Sequence, residues 1–243
     1  MFIQSFIGSI CSIGLLVVLK IMANILVFSD THLYLPFEQK KFDYLKKIIE
    51  PADQVIINGD FFDGYMISFE DFVNSRWNKL FPLLKSKKAI YIYGNHDKKK
   101  FSDKRVKLFS VIQKDNYQLT INNQQFYFEH GQKIRVTPDT TWKLSKEILH
   151  YGMSIGHFIR RLMVKVFGKI FITLRFAYRN VKSKRKITKM YKPQNNEIYI
   201  IGHNHYGEVD EKNHFAASGM ILYGFASYLT IENDKILLHE EWY

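Results

Sequence analysis

At 243 residues, 47% of them hydrophobic and 24% charged, the chain is long enough to bury one large core, which excludes disorder as its default state and suits a single α/β domain. One cysteine, Cys11, rules out an internal disulfide and any cysteine-built zinc site, in keeping with a reducing cytosol. The net charge of +12 calls for an anionic partner or substrate.

Residues 2–19 carry no charge and approach the roughly 20 apolar residues of a membrane span, although Gln4, Ser5, Ser9 and Ser12 interrupt the run. No basic leader precedes it and no small-residue cleavage site follows, which argues against a secretory signal. A core strand begins by Asn24 or Ile25, too close behind Lys20 for a sheet to clear a bilayer. Residues 1–21 are therefore read as an extension ahead of a start at Met22, with a membrane anchor and a core helix as the other readings.

From there strand and helix patterns alternate. Ile25-Leu26-Val27-Phe28 reads as a buried strand, and Asp30-Thr31-His32 follows it. Residues 37–50 set Phe37, Phe42, Leu45, Ile48 and Ile49 at helical spacing among lysines. The second strand, 54–58, runs into Gly59-Asp60. Helical spacing returns over 69–84 through Phe72, Val73, Leu80, Leu83 and Leu84, with Pro82 near its end. The third strand, 89–93, delivers Gly94-Asn95-His96-Asp97. This order predicts parallel strands joined by right-handed crossovers. A hairpin is predicted from 117–121 and 125–129 around Asn122-Asn123-Gln124, its second strand ending at His130-Gly131.

Residues 132–196 break the pattern. They hold sixteen lysines and arginines against Asp139 and Glu147, so the rest of the chain is close to neutral. Asp139 can cap a first helix, and Ile155, Phe158, Ile159, Leu162, Met163, Val166, Ile170, Leu174 and Ala177 recur at three- and four-residue steps. Such a basic amphipathic helix or helix pair suits an anionic membrane surface, or a cap that walls an acyl-chain pocket. It equally suits an apolar face packed on the sheet beneath a solvated basic face. Past Pro193, strand 198–201 ends at Gly202-His203-Asn204-His205. Short alternating stretches over 207–210, 214–217, 227–231 and 235–240 give a β-rich finish, with Asn233-Asp234 turning the last hairpin.

The five blocks supply oxygen and imidazole donors of the kind that hold Mn, Fe, Co or Zn, and most of them follow predicted strands, where loops of an α/β sheet converge. Asp and Asn at one strand end are also what a turn needs, but five such blocks in order form a pattern. They resemble the calcineurin-like metallophosphoesterase superfamily. The resemblance implies a four-layer α/β/β/α sandwich over residues 22–243, with a helical basic insert at 132–196. It implies one metal on Asp30, His32, Asp60 and His205 and a second on Asp60, Asn95, His130 and His203, with Asp60 bridging. Two divalent ions are implied, Mn first and Fe, Zn or Co as alternatives, with a metal-bridging hydroxide as the nucleophile. His96 then stabilises the phosphoryl oxygens and protonates the leaving group, and Asp97 orients His96. His150, His157, His214 and His239 fall outside the blocks and read as surface or packing residues.

A narrower resemblance rests on Asn58-Gly59-Asp60-Phe61-Phe62-Asp63, Glu129-His130-Gly131, the helical insert and Gly202-His203-Asn204-His205. It is to the UDP-2,3-diacylglucosamine pyrophosphatase branch, and implies a cytoplasmic enzyme of lipid A synthesis, peripheral on the inner face of the membrane. Such an enzyme cleaves a UDP-linked, doubly acylated sugar to UMP and the acylated sugar 1-phosphate. His96 departs from the Arg usual there and returns the chain toward the generic phosphodiesterase pattern. Two other functions fit the residues: a nuclease or nucleotide phosphodiesterase whose insert tracks a nucleic-acid backbone, and an idle scaffold that docks on a membrane or partner. Few aromatics interleave with the basic residues of 179–192, and none of the implied metal ligands is missing.

Overall fold

The computed structural model describes residues 24–137 and 145–243. The readings of residues 1–21 and of Asp139 as a helix cap fall outside the described residues. In chain order the elements begin with β1 (Asn24–Phe28), α1 (Gln39–Ile49), β2 (Gln54–Asn58), α2 (Phe69–Asn74), α3 (Phe81–Ser86), β3 (Ile90–Ile92) and β4 (Ile112–Lys114). A hairpin, β5 (Asn116–Ile121) and β6 (Gln124–Glu129), leads to the long helix α4 (Lys146–Tyr191). The chain finishes with β7 (Glu197–Ile201), β8 (Gly207–Asp210), β9 (Phe215–Ser218), β10 (Ile221–Leu222), β11 (Phe225–Glu232) and β12 (Lys235–Trp242).

Two sheets stack face to face. The first has the order β10-β11-β1-β2-β3-β4, with β12 on β11, and β1 to β4 are parallel, as the alternating pattern predicts. The second has the order β5-β6-β7-β9-β8. Strand side chains alternate between faces, so Leu26, Phe28, Val55 and Ile57 pack under α1 to α3. Ile25, Val27, Ile56 and Ile90 point the other way and meet Phe126, Phe128, Ile198 and Ile200 of the second sheet. The far face of that sheet packs Tyr199, Ile201 and Phe215 against Ile187 of α4. The layers are therefore α/β/β/α, the predicted sandwich.

Three local departures have physical causes. The predicted helix 69–84 is broken at Ser75, which is extended (φ −77°, ψ 170°) and whose hydroxyl accepts from the Trp77 amide to start a 3-10 turn, Arg76–Leu80. Serine competes with its own helix in this way. Pro82 ends nothing; it sits in the first turn of α3, where its missing N–H has no partner to lose. The hairpin turn tightens to Asn122-Asn123, both at positive φ (50° and 75°), with Ile121 opposite Gln124. Two such residues match the twist of the strands. β4 has one apolar residue in three and no sequence signature of its own; pairing with β3 makes it a strand.

Within the insert, residues 146–191 form one long helix, α4, kinked at Gly168 (φ 53°, ψ −136°) and capped at its start by the Ser145 hydroxyl, which accepts from the Ile148 amide. Its inner face is His157, Val164, Ile172, Phe176, Asn180, Ser183 and Ile187, all buried. Most of the predicted apolar stripe lies elsewhere: Ile155, Phe158, Ile159, Leu162, Val166, Ile170 and Leu174 are all at least half exposed. Packing of that stripe on the sheet is thereby excluded for these residues. No helix among the described residues is long and apolar enough to cross a membrane.

Ile172, with Val164 and Phe176, docks α4 against Met220, Leu222 and Phe225. Ile172→Ala is expected to remove about 2 to 5 kcal/mol of packing there. Hydrogen exchange across 146–191 together with urea unfolding tests this; unchanged exchange and an unchanged midpoint would show that the contact does not hold the helix.

Candidate metal centre

Strand ends from both sheets meet at one point. Beyond β1 come Asp30 and His32, beyond β2 Asp60, beyond β3 Asn95 and His96, beyond β6 His130, and beyond β7 His203 and His205. Backbone bonds lock the loops together: Asp30 N donates to Gly59 O at 3.1 Å, His32 N to Asp60 O at 2.9 Å and Gly202 N to His130 O at 3.0 Å. Wholly buried Lys41 of α1 donates to the Thr31 carbonyl. Asp30, His32, Asp60, His203 and His205 all have positive φ, between 41° and 62°. Left-handed backbone at non-glycine residues is strained and collects at functional sites. Gly94 has a further reason to be glycine, because a Cβ there would collide with the Asp60 carboxylate.

The donors fall into groups whose atoms lie close enough to hold a cation. Asp30, His32 and His205 form one, and Asp60, His130 and His203 another. Asp60 links them: its Oδ2 lies 3.1 Å from His130 Nε2 and 3.6 Å from His32 Nε2, while its Oδ1 accepts from the His96 amide at 2.8 Å. Asp30 is divided in the same way. Its Oδ2 accepts from Ser29 Oγ and His203 N, and its Oδ1 lies 3.0 Å from His205 Nε2 without a hydrogen bond. His32 Nε2 and His205 Nδ1 are likewise buried without partners. Orphaned donors of this kind are rare in native structures, and a cation satisfies them.

The outer atoms of the imidazoles are fixed. His130 Nδ1 meets Asn58 O at 2.9 Å, and His203 Nε2 meets Arg135 O at 2.8 Å, so each ring presents its other nitrogen inward. Asn95 places Oδ1 3.1 Å from His130 Nε2. Asn204, between His203 and His205, donates to Asn180 Oδ1 and Ser183 Oγ of α4, so the insert holds this loop.

The electrostatics follow from burial. Burial pushes the Asp30 carboxyl up, but His205 and His130 outweigh it and hold it well below its usual range. Asp60 is held low in the same way, chiefly by His130 and His96. Burial opposes charge on His32 and His130, yet Asp30 and Asp63 raise His32 to about 10, and Asp60 and Asp30 raise His130 to about 9. His205, facing Arg179, is pushed down by burial to about 3.

Two predicted roles are corrected. Asp97 does not orient His96: its carboxylate accepts the buried amides of Asp60, Phe61 and Gly94 at 2.6 to 3.1 Å. Its pKa is raised to about 6 by burial and the Asp60 charge. Asp63 takes that place, with its Oδ2 3.1 Å from Nδ1 of both His96 and His32. His157 is not a packing residue: it is buried, its Nε2 lies 3.6 Å from Asp63 Oδ2, and burial pushes it down to about 4, leaving it neutral. Asp63 stands three residues after Asp60 on a loop whose motif already marks it, a signal that was legible. His157 has none, since it lies between Ile155 and Phe158 on an amphipathic helix. His150 bonds Tyr65 O, His214 bonds Glu197 O and His239 bonds Thr230, as ordinary packing residues do.

A cavity of about 190 Å³ opens in front of the donors, lined by His32, Asp60, Asn95 and His96 and by Arg135, Arg160 and Arg179. None of the three arginines is recognisable from sequence as different from the other cations of the insert region.

A calcineurin-like phosphoesterase family profile matches residues 23–207. The chain belongs to the calcineurin-like phosphoesterase family and is a metal-dependent phosphoric ester hydrolase whose buried His and Asp groups suit divalent metals. No curated protein matches it. Among solved structures, a dimetal phosphatase from Danio rerio is 10% identical over 91% of this chain and 96% of that one, with a TM-score of 0.50, and shares the fold. Vps29 from Entamoeba histolytica in complex with zinc is 12% identical over 89% and 91%, at 0.45. The phosphoesterase Yfce from E. coli is 15% identical over 88% and 90%, at 0.42.

Two outcomes are expected. Asp97→Ala strands three buried amides and lowers stability by roughly 2 to 4 kcal/mol, whereas Asp63→Asn lowers turnover at a much smaller stability loss; urea unfolding beside a rate assay separates them. In the metal-free protein His32 and His130 hold protons at pH 7, so metal uptake releases protons and tightens as the pH rises toward 9 to 10. The stabilisation from these raised imidazoles is present below about 6.5 and is lost as the pH climbs through their folded values. Calorimetry in two buffers of different ionisation enthalpy counts the protons, and a count of zero at pH 7 contradicts the assignment.

Proposed function

We propose that residues 22–243 form a dinuclear hydrolase that cleaves a phosphoanhydride or phosphodiester, with a UDP-linked acylated sugar as favoured substrate. The observation that carries this reading is Asp60 Oδ2 lying between imidazoles of two separate donor groups. Asp30, His32, Asp60 and His205 would hold one cation, and Asp60, Asn95, His130 and His203 the other; oxygen and imidazole donors suit Mn first, and Fe, Zn or Co as well. When bound, such ions would supply Lewis acidity toward a water and the phosphoryl oxygens. His96, half-buried at the cavity and held by Asp63, protonates the leaving oxygen.

Two observations favour a lipid-linked diphosphate. Arg160 and Arg179 enter the cavity from α4, and none of the ion pairs among the described residues includes either one. Arg179 instead lies 4.5 Å from the Phe176 ring centroid, and that ring lies 5.3 Å from His205. Guanidiniums so placed suit a second phosphoryl group. Beside the metal cavity, across Tyr65, a second cavity of about 380 Å³ is lined by Met66, Ile67, His150 and Tyr151, with Ser68 and Glu147, and its apolar wall suits an acyl chain. The outer face of α4 carries Tyr151, Ile155, Phe158, Leu162, Val166, Ile170 and Leu174 exposed among Arg161, Lys165 and Arg175. An apolar stripe flanked by cations suits an anionic bilayer surface, which supports a peripheral position on the inner face of the membrane.

The test is UMP release from UDP-2,3-diacylglucosamine in detergent micelles by a chain starting at Met22, with and without Mn. Release is expected to depend on Mn and to fall to background in Asp60→Asn and His203→Ala; near-wild-type turnover by either purified variant sinks the ligand assignment. Cleavage of a simple aryl phosphodiester without UMP release keeps the hydrolase and rejects the substrate. Vesicles containing anionic lipid are expected to bind the protein, and Phe158→Glu with Leu174→Glu to abolish binding; salt-sensitive binding to RNA or DNA with no vesicle binding moves the substrate to nucleic acid.

A further inference from the structure

The hydrogen-bond donors that approach Asp63 from the insert are ordered in one direction. A guanidinium has only donors, so Arg160 Nε gives its proton to the Tyr223 hydroxyl, 3.2 Å away. The single Tyr223 O–H is then left to donate to His157 Nδ1 at 2.8 Å. A neutral imidazole that accepts at Nδ1 carries its proton on Nε2. That N–H is on the side of Asp63 Oδ2, 3.6 Å from it, the same oxygen that meets Nδ1 of His32 and of His96 at 3.1 Å. At 3.6 Å the contact is that of a dipole with a charge, longer than a hydrogen bond. Asp63 Oδ1 is held separately, by the Tyr65 amide at 3.1 Å.

His157 is packed as a fixed part. It is 6% exposed, its ring lies 5.4 Å from that of Tyr34 and 5.9 Å from that of His32, and it projects from the inner face of α4. It belongs to none of the five ligand blocks. The helix that carries it also carries Arg160, which stands at the cavity and begins the chain of donors.

We propose that His157 is a positioning residue: with Tyr223 and Arg160 behind it, it turns an N–H toward the Asp63 carboxylate, keeps that carboxylate aimed at His96, and so fixes the imidazole that serves the leaving group. The proposal rests on the hydrolase reading above. It makes the catalytic imidazole depend on the docking of α4, whose inner face thereby does more than cover the sheet. His157 lines the cavity, but its Nε2 is turned to Asp63, so its removal should affect the rate of the step and leave KM little changed.

The experiment is steady-state hydrolysis of bis(p-nitrophenyl) phosphate by the full chain with Mn, with metal content and thermal unfolding measured on the same samples. His157→Leu and Tyr223→Phe are expected to lower kcat by about 10- to 100-fold, to leave KM within about two-fold and to keep the wild-type metal content. His157→Gln, whose amide N–H can replace the ring N–H, is expected to recover most of the loss; Leu and Gln variants of equal kcat would overturn the proposal. An unchanged kcat in Tyr223→Phe and His157→Leu overturns it, as does a raised KM at constant kcat, which would mark direct contact with substrate. Loss of bound metal from a folded His157→Leu overturns it in favour of a cation held by His32, Asp63 and His157. An inactive wild type strikes the hydrolase reading itself and takes the proposal with it, whereas an active wild type with unaffected variants strikes the proposal alone.

Discussion

The structure depends on a shared carboxylate. Asp60 is 1% exposed, and three more acids, Asp30, Asp63 and Asp97, are buried completely within the same few loops. Taking that many carboxylates out of water is unfavourable unless each oxygen meets a positive or hydrogen-bonding partner. Each acid solves this differently. Asp97 collects backbone amides, Asp63 collects imidazoles, and Asp30 and Asp60 each secure one oxygen on amides or a hydroxyl and turn the other toward histidine. The division matters because an oxygen already engaged by the protein holds the carboxylate in place, while the other is left for a cation.

Holding those groups together requires backbone that the core must restrain. Of the strands that deliver them, β1, β2 and β3 are buried on both faces, one side against α1 to α3 and the other against the second sheet. Their ends therefore have little freedom, and five of the ligand-block residues sit in left-handed backbone without being glycine. Such strain persists only where the surroundings over-determine it. The sandwich does so, because its two sheets contribute facing loops and each loop hydrogen-bonds the next.

The insert joins this centre to the exterior. On its inner face Asn180 and Ser183 hold Asn204, His157 faces Asp63, and Arg160 and Arg179 reach the cavity. On its outer face Phe158, Ile170 and Leu174 are exposed. Apolar residues at helical steps normally mark the buried side of a surface helix, and in the N-terminal two-thirds of α4 they mark the exposed side. The buried side instead sets His157, Asn180 and Ser183 among Val164, Ile172, Phe176 and Ile187, because it meets the candidate metal centre as well as a sheet.

The sequence by itself determined most of the strands, the parallel order of β1 to β3, the hairpin and the five donor blocks that the structure brings together, because each rests on a local pattern: alternating apolar runs, turn asparagines, and donors placed directly after strands. It also determined the charge of the insert. Only the tertiary structure decided which carboxylate serves His96. Asp97 adjoins that histidine along the chain, but the turn of Gly94-Asn95-His96-Asp97 sends its carboxylate back to three amides, and Asp63 arrives from another loop. It alone decided the direction of the apolar stripe and the recruitment of His157 and the three arginines. These depend on contacts between residues up to scores of positions apart, and helical periodicity reports that a face exists without reporting what the face meets.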